Sequence, residues 1–317
     1  MKAVLLEADA VNPGDLSWNP ITSLVETRIY NNTTEENKYE HIGDADIVFV
    51  NKIKIDDEVF VKCPNIRYIG VCATGYNVID TEAARRYGVT VTNVPAYSTE
   101  SVAQLTWGLI LESVCHIKLH NDSVHRGDWI NSDNFCYWLE PVTELAGKTI
   151  GVFGYGNIGR RVCEIAKAFH MNVLVHTAHP EKYDKEQINF VGINTLLSES
   201  DIISLHCPLT NETEGIINKK NIDQMKDGVI IINVSRGGLV VESDLAEALS
   251  NGKVAGAGVD VVAVEPMRED NPLLQAPNIT ITPHIAWASL EARKRLVDVV
   301  ADNLKAFLEG RRENVVS

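Results

Sequence analysis

Three residues of this 317-residue chain could carry a reaction between them: Arg236, Glu265 and His284. Each follows a short apolar, β-rich run. Ser235-Arg236-Gly237-Gly238 follows VIIINV, Glu265-Pro266 follows AGVDVVAV, and Pro283-His284 follows NITIT. If those runs are parallel strands of one sheet, a cation, a carboxylate and an imidazole emerge together at the carboxyl edge, where open α/β sheets bind ligands. Histidine is suited to giving up a proton near neutral pH. A carboxylate beside it would orient the ring and favour positive charge on it. Arginine can grip a substrate carboxylate with two parallel hydrogen bonds and polarise the neighbouring carbonyl. Taken singly, each also fits a bland role: a solvated loop cation, a surface acid before a proline, a helix-entry histidine.

A second motif supplies what that trio lacks. Lys148–Phe169 reads KTIGVFGYGNIGRRVCEIAKAF, with Gly154, Gly156 and Gly159 in the pattern G-x-G-x-x-G. The pattern alone is weak, but its flanks fit. Thr149–Phe153 is a strand-like apolar run. Ile158, Val162, Ile165, Ala166 and Phe169 recur at helical spacing. A strand-to-helix turn leaves the first helical amides free, and with the helix dipole they make a seat for a pyrophosphate. Gly156 lets phosphates approach the backbone, and Gly159 lets the helix pack on the sheet. Joined to the three strand ends, the turn describes an oxidoreductase that moves a hydride between a nicotinamide dinucleotide and a 2-oxo or 2-hydroxy acid.

One position departs from the pattern. The strand after the turn should end in Asp or Glu to hold the ribose hydroxyls of NAD, but the chain reads NVLVHTAH, with Thr177 there. Thr does not repel a phosphate. The Arg expected for NADP is also missing, with only His176, His179 and Lys182 nearby. Two expectations stand side by side: relaxed specificity with NADPH accepted comparably, or an NAD enzyme that manages without the acid.

These groups need an α/β frame. Val4–Leu6, Ile47–Val50, Ile66–Val71 and Val89–Thr92 are β-rich runs separated by helical stretches such as Thr81–Tyr87, which predicts a first parallel sheet. Ser98 is placed to cap a long helix through Val102, Leu105, Leu109 and Ile110. A Trp-rich irregular stretch spans Gly127 to Pro141. A second series follows, with strands at Thr149–Phe153, Val173–His176, Ile202–His206, Val229–Val234, Ala257–Val261 and Ile279–Thr282, and a helix at Ser243–Ser250. From Ser289, placed as an N-cap, a final amphipathic helix runs to Gly310. The expected fold class is α/β, with two Rossmann-like, doubly wound domains and a cleft between them. Residues 1–99 plus 288–317 form a discontinuous, flavodoxin-like substrate domain, and 100–287 the NAD(P)-binding Rossmann domain.

Composition agrees with a globular protein: 45% hydrophobic and 23% charged residues. A net charge of −14 argues against nucleic acid or an anionic membrane as the main partner. The six cysteines (Cys63, Cys72, Cys115, Cys136, Cys163, Cys207) lie far apart without C-x-x-C, which predicts free thiols in a reducing compartment. The acidic N-terminal stretch does not read as a signal peptide, and no apolar run is long enough to span a membrane. A cytoplasmic location is expected. His116 and His120 are spaced to share a helix face, but no third ligand or H-E-x-x-H accompanies them, so no metal is expected. His41, His125 and His170 read as surface or boundary residues.

Over essentially its full length the chain resembles the D-isomer-specific 2-hydroxyacid dehydrogenases. The matching pieces are ATGYNVID (73–80), NVPAYSTESVAQ (93–104), ELAGKTIGVFGYGNIG (144–159), LHCPLT (205–210), NVSRGGLV (233–240), GVDVVAVEP (258–266) and PHIAWAS (283–289). FCYW at 135–138 and the Trp of HIAW resemble the glycerate dehydrogenase/hydroxypyruvate reductase branch. Formate dehydrogenases pair the catalytic His with Gln, so Glu265 points away from them. The resemblance implies Arg236 as substrate anchor, Glu265 as partner of the histidine and His284 as proton donor. It also implies that amides at Thr74-Gly75 hold the substrate carboxylate. Cofactor contacts are expected along the turn, at Gly154, Tyr155, Gly156, Asn157, Ile158 and Gly159, and at Thr177. Further contacts are expected at His206, Cys207, Pro208 and Thr213, at Val234, Ser235 and Arg236, and at Asp260, His284 and Ala286. The family forms homodimers. His120 to Pro141 corresponds to the dimer-forming extension, which would bring Trp138 towards the partner's site. The expected activity is reduction of hydroxypyruvate or glyoxylate to D-glycerate or glycolate with NAD or NADP. The alternatives are a dehydrogenase for another D-2-hydroxy acid, or a dinucleotide-sensing, corepressor-like protein without significant turnover.

Overall fold

Unbroken runs of β-branched residues form strands covered on both faces, as in parallel sheets. The computed structural model, which describes residues 1–183 and 188–317, builds two such sheets. The chain divides into two compact units, Met1–Ser98 with Ala288–Ser317, and Thr99–Trp287.

The first unit holds β1 (Lys2–Leu5), β2 (Glu26–Ile29), β3 (Ile47–Val50), β4 (Tyr68–Val71) and β5 (Thr90–Thr92), all parallel, in the order β2-β1-β3-β4-β5. Central β3 and β4 are buried throughout. Edge strand β2, ETRI, is mostly exposed; with no apolar run to announce it, the sequence does not predict it. The C-terminal helix, Leu290–Leu308, belongs to this unit. Ser289 caps it by accepting the Ala292 amide at 3.2 Å. Its buried Leu296, Val300 and Leu304 each contribute about 1.5–3 kcal/mol of apolar burial. The Phe307 ring packs 4.7 Å from that of Tyr68, and Asn303 Nδ2 donates to the Asn93 carbonyl at 2.9 Å.

The second unit holds β6 (Thr149–Phe153), β7 (Asn172–His176), β8 (Asn189–Phe190), β9 (Ile202–Leu205), β10 (Val229–Asn233), β11 (Val254–Val259) and β12 (Ile279–Ile281). Their order is β12-β11-β10-β9-β6-β7-β8. The order reverses between β6 and β9, which opens a crevice at their carboxyl ends. The Thr99–Cys115 helix packs on β10 and β11. A Cβ on Gly258 would come within 2.7 Å of Leu109 Cβ, so only glycine lets helix and strand approach this closely.

His116 sits in left-handed conformation, at φ 50°, between the Thr99–Cys115 and Ile117–His125 helices. It therefore does not share a helix face with His120, contrary to the spacing argument. Instead His120 Nδ1 donates to the His116 carbonyl at 2.8 Å, and His120 Nε2 accepts the Leu139 amide at 3.1 Å. Among the described residues no cluster of His, Cys, Asp or Glu is placed to hold a metal. No helix there is long and apolar enough to cross a membrane.

Candidate active site

The register of the second sheet sets the site. Phe153 is level with Leu205, Leu205 with Asn233, Asn233 with Val259, and Val259 with Ile281. Five strands thus end in one row, and the glycine turn, His206, Arg236, Glu265 and His284 all leave from it. Of the expected catalytic residues, Glu265 and His284 are in contact: Nδ1 of His284 and Oε2 of Glu265 are 2.6 Å apart. Their side chains are 35% and 30% exposed, open enough to meet a small substrate.

His284 is held from behind. Its φ is 55°, and its amide donates to the carbonyls of Asp260 at 2.8 Å and Thr282 at 3.0 Å. The buried Asp260 carboxylate accepts from Thr282 Oγ1 at 2.6 Å, from the Ile285 amide at 2.8 Å and from the Ala286 amide at 2.8 Å. Asp260 was expected among the cofactor contacts; here both oxygens organise the Thr282–Ala286 loop. Ala286 is buried, and its carbonyl accepts from Ser101 Oγ.

Arg236 is exposed, and its Nη1 donates to the Ser235 carbonyl at 2.8 Å. Buried Asn233 shapes its loop by donating to the Arg236 carbonyl at 2.8 Å and accepting the Ser235 amide at 3.1 Å. Gly237 then lies against the next strand's exit, because a Cβ there would fall 1.9 Å from the Val262 carbonyl carbon. Sequence reasoning missed the bracing role of Asn233. Its signal is a lone amide closing a run of four apolar residues, since a buried polar side chain must find partners.

The glycine turn has the shape a dinucleotide needs. Gly154 has φ 101°, and a Cβ there would collide with the backbone of His206 and Cys207 at 2.6 Å. A Cβ on Gly159 would lie 2.1 Å from the Gly154 carbonyl oxygen, while one on Gly156 would meet nothing within 4 Å. The Asn157–Ala168 helix starts at Gly156 with no side-chain cap, so the N-cap residue takes up none of its first amides. These residues fit a pyrophosphate. Asn157 Oδ1 accepts from Arg160, and the Tyr155 and Ile158 side chains pack onto the core.

On the next strand, His206 is half-buried but its ring nitrogens are shielded. Nε2 pairs with Ser204 Oγ at 2.8 Å, and Nδ1 has no partner among the described residues. Burial pushes its pKa down to about 3, so the ring is neutral, and pushes the buried Cys207 thiol up to about 11. The Cys207 carbonyl accepts from Ser235 Oγ at 2.6 Å, which ties two site loops together. Thr213 Oγ1 donates to the Pro208 carbonyl at 2.7 Å and closes the Pro208–Thr213 loop. Val234 is buried. Thr177 directly follows β7, with its Oγ1 3.5 Å from the His179 amide. In the first unit, Thr74 follows β4. Its hydroxyl donates to the Val94 carbonyl at 2.7 Å, and its carbonyl accepts from Asn93 Nδ2 at 2.7 Å; Gly75 comes next.

Residues 107–286 match the family model described as D-isomer specific 2-hydroxyacid dehydrogenase, NAD binding domain. The chain belongs to this family. It is 50% identical to a hydroxypyruvate reductase of Blautia hydrogenotrophica over 100% of both chains. It is 40% identical to a glycerate dehydrogenase of Methylorubrum extorquens, over 89% of each. Among solved structures, a D-lactate dehydrogenase from Aquifex aeolicus, complexed with NAD and lactic acid, superposes with a TM-score of 0.83. It is 30% identical, covering 98% of this chain and 96% of that one. The dehydrogenase thus has the two-sheet α/β fold and the nicotinamide dinucleotide cofactor of its family.

Proposed function

We propose that the protein reduces hydroxypyruvate, and glyoxylate as a smaller substrate, to D-glycerate and glycolate. The row of strand ends that sets Arg236, Glu265 and His284 beside a pyrophosphate-shaped turn carries this reading. The full-length likeness to a hydroxypyruvate reductase narrows the substrate. A bound reduced nicotinamide supplies the hydride. Arg236 grips the substrate carboxylate, and the amides of Thr74 and Gly75 are likewise assigned to substrate binding. His284 donates its proton to the carbonyl oxygen as the alkoxide forms. Glu265, on Nδ1, orients the ring so that Nε2 carries the transferable proton. Cofactor contacts are assigned to the glycine turn and to the loops after β7, β9 and β10.

Thr177 carries no charge to repel a 2′-phosphate, so the reading includes use of NADPH at a rate comparable to NADH. The enzyme is further assigned to the cytoplasm; the six cysteines are free. It is also assigned a homodimeric state. Ile130, Phe135 and Trp138 are 87%, 90% and 70% exposed, an apolar surface that a second copy of this chain would cover.

One assay tests the core of this. Nicotinamide absorbance is followed with a panel of 2-oxo acids and each reduced cofactor. Turnover is expected to be fastest on hydroxypyruvate, with the two cofactors within about tenfold of each other. A hundredfold preference for NADH would overturn the relaxed reading. Cofactor binding without turnover on any acid would favour the dinucleotide sensor.

A further inference from the structure

The residue between the first two glycines of the turn is aromatic, and its ring is engaged. Tyr155 meets Tyr183 edge-on, with centroids 5.0 Å apart and planes at 84°, and meets Phe190 at 5.3 Å and 87°. Tyr183 and Phe190 stack on each other at 5.9 Å and 21°. Edge-to-face and offset geometries are the favourable ones for aromatic pairs. Tyr155 and Phe190 both pack onto the core beneath. Phe190 lies on edge strand β8, level with Val175 of β7.

Tyr183 is placed differently. It lies in the connection from β7 to β8, just after the short helical turn Pro180–Lys182. That loop leaves β7 where dinucleotide-binding sheets contact the adenosine ribose. It carries Thr177, His179 and Lys182, and His179 Nδ1 lies 3.2 Å from Glu181 Oε1. Residues 177–183 are therefore held by the β7 ladder before Thr177 and by the Tyr155 and Phe190 rings at Tyr183.

We propose that Tyr155 is a positioning residue for the adenosine end of the cofactor: its ring holds the Thr177–Tyr183 loop in a fixed place relative to the glycine turn. The proposal rests on the dinucleotide reading of that turn. Pyrophosphate seat and ribose-contacting loop then form one preset unit, and affinity for the adenosine end, with or without a 2′-phosphate, depends on a residue that touches neither the 2′-hydroxyl nor the phosphate.

The test uses the full chain with Tyr155→Ala and Tyr155→Phe. Hydrogen exchange is measured on the cofactor-free proteins, and 5′-AMP and 2′,5′-ADP affinities by titration. In Tyr155→Ala, amides of Thr177–Tyr183 should exchange about tenfold faster, while those of the Asn157–Ala168 helix keep their rate. Both fragments should bind about tenfold more weakly. Tyr155→Phe, which keeps the ring, should match the wild type within about twofold. If Tyr155→Ala fails to fold, Tyr183→Ala removes one of the same contacts from the loop side and must give the same pattern. Unchanged loop exchange, faster exchange throughout the second unit, or wild-type fragment binding would each overturn the proposal. Wild-type protein that binds neither NADH nor NADPH would instead overturn the dinucleotide reading, and loop exchange would still decide the role of the ring.

Discussion

Oε2 of Glu265 lies 2.6 Å from Nδ1 of His284, across a gap of nineteen residues. A carboxylate accepts only, so Nδ1 carries a hydrogen in this contact and Nε2 is the ring nitrogen left for the proposed proton transfer. His284→Ala is expected to lower turnover by about two to four orders of magnitude, with NADH affinity nearly unchanged. Glu265→Gln keeps the shape and removes the charge, and should cost less, about tenfold to a hundredfold. Steady-state rates with parallel NADH titrations check both; full turnover in His284→Ala would remove it from the mechanism.

Arg236 contacts the rest of the protein through its own loop and is exposed. Arg236→Ala should therefore leave unfolding free energy within about 0.5 kcal/mol of the wild type. The oxo-acid KM should rise by about a hundredfold, with a fall in kcat. A variant with an unchanged KM would count against the anchor role.

Two glycines of one turn should respond in opposite ways. Gly159→Ala forces a methyl to within 2.1 Å of the Gly154 carbonyl oxygen and should destabilise the protein by about 2 kcal/mol or more. Gly156→Ala adds a methyl to open space. It should fold with nearly native stability yet bind NADH roughly tenfold more weakly, because the methyl occupies the phosphate approach. Denaturant unfolding and NADH titration of both variants separate the roles; equal effects on stability would contradict the geometry.

Asp260 accepts three hydrogen bonds from the loop that carries His284. In Asp260→Asn an NH2 group replaces one accepting oxygen, and a buried donor is left facing a donor. The expected cost is about 1–3 kcal/mol of stability, together with lower turnover as His284 loses its support. Urea midpoints and rates should fall together, and a stable variant with normal turnover would show that the brace is dispensable.

His206 should make stability depend on acid. Its pKa is about 3 in the fold and near 6.5 in an unfolded chain. Between those values the unfolded chain binds more protons, so stability rises with pH and is lost as pH falls. From about pH 6.5 to about pH 5.5 this residue alone should cost about 1 kcal/mol. His206→Gln should lack that part of the slope. Urea unfolding across this range decides it, and parallel curves for the two proteins would refute it.

Much of this architecture was legible in the residues. Runs such as Val229–Asn233 are buried along their whole length, and buried β-branched runs announce themselves. Edge strands β2 and β8 were not, because β2 exposes three of four residues and β8 has only two; their pairing is imposed by a neighbour. Spacing also misled at His116, where a left-handed residue breaks the helix that would have aligned it with His120. For the site, residue type pointed to Arg236, Glu265 and His284. Register between strands distant in sequence, and the bracing by Asn233 and Asp260, arise only once the chain has folded. Periodicity carries no trace of them.

The C-terminal helix has a consequence for the order in which the chain becomes a protein. Residues 1–98 reach their complete packing only with Ala288–Ser317, through Asn303 on Asn93, Val315 beside Thr92 and Ser317 Oγ on the Val91 amide. Synthesis delivers Ala288–Ser317 only after residues 99–287. The unit that holds residues 1–98 must therefore wait, lacking its long helix, while the dinucleotide-binding unit emerges.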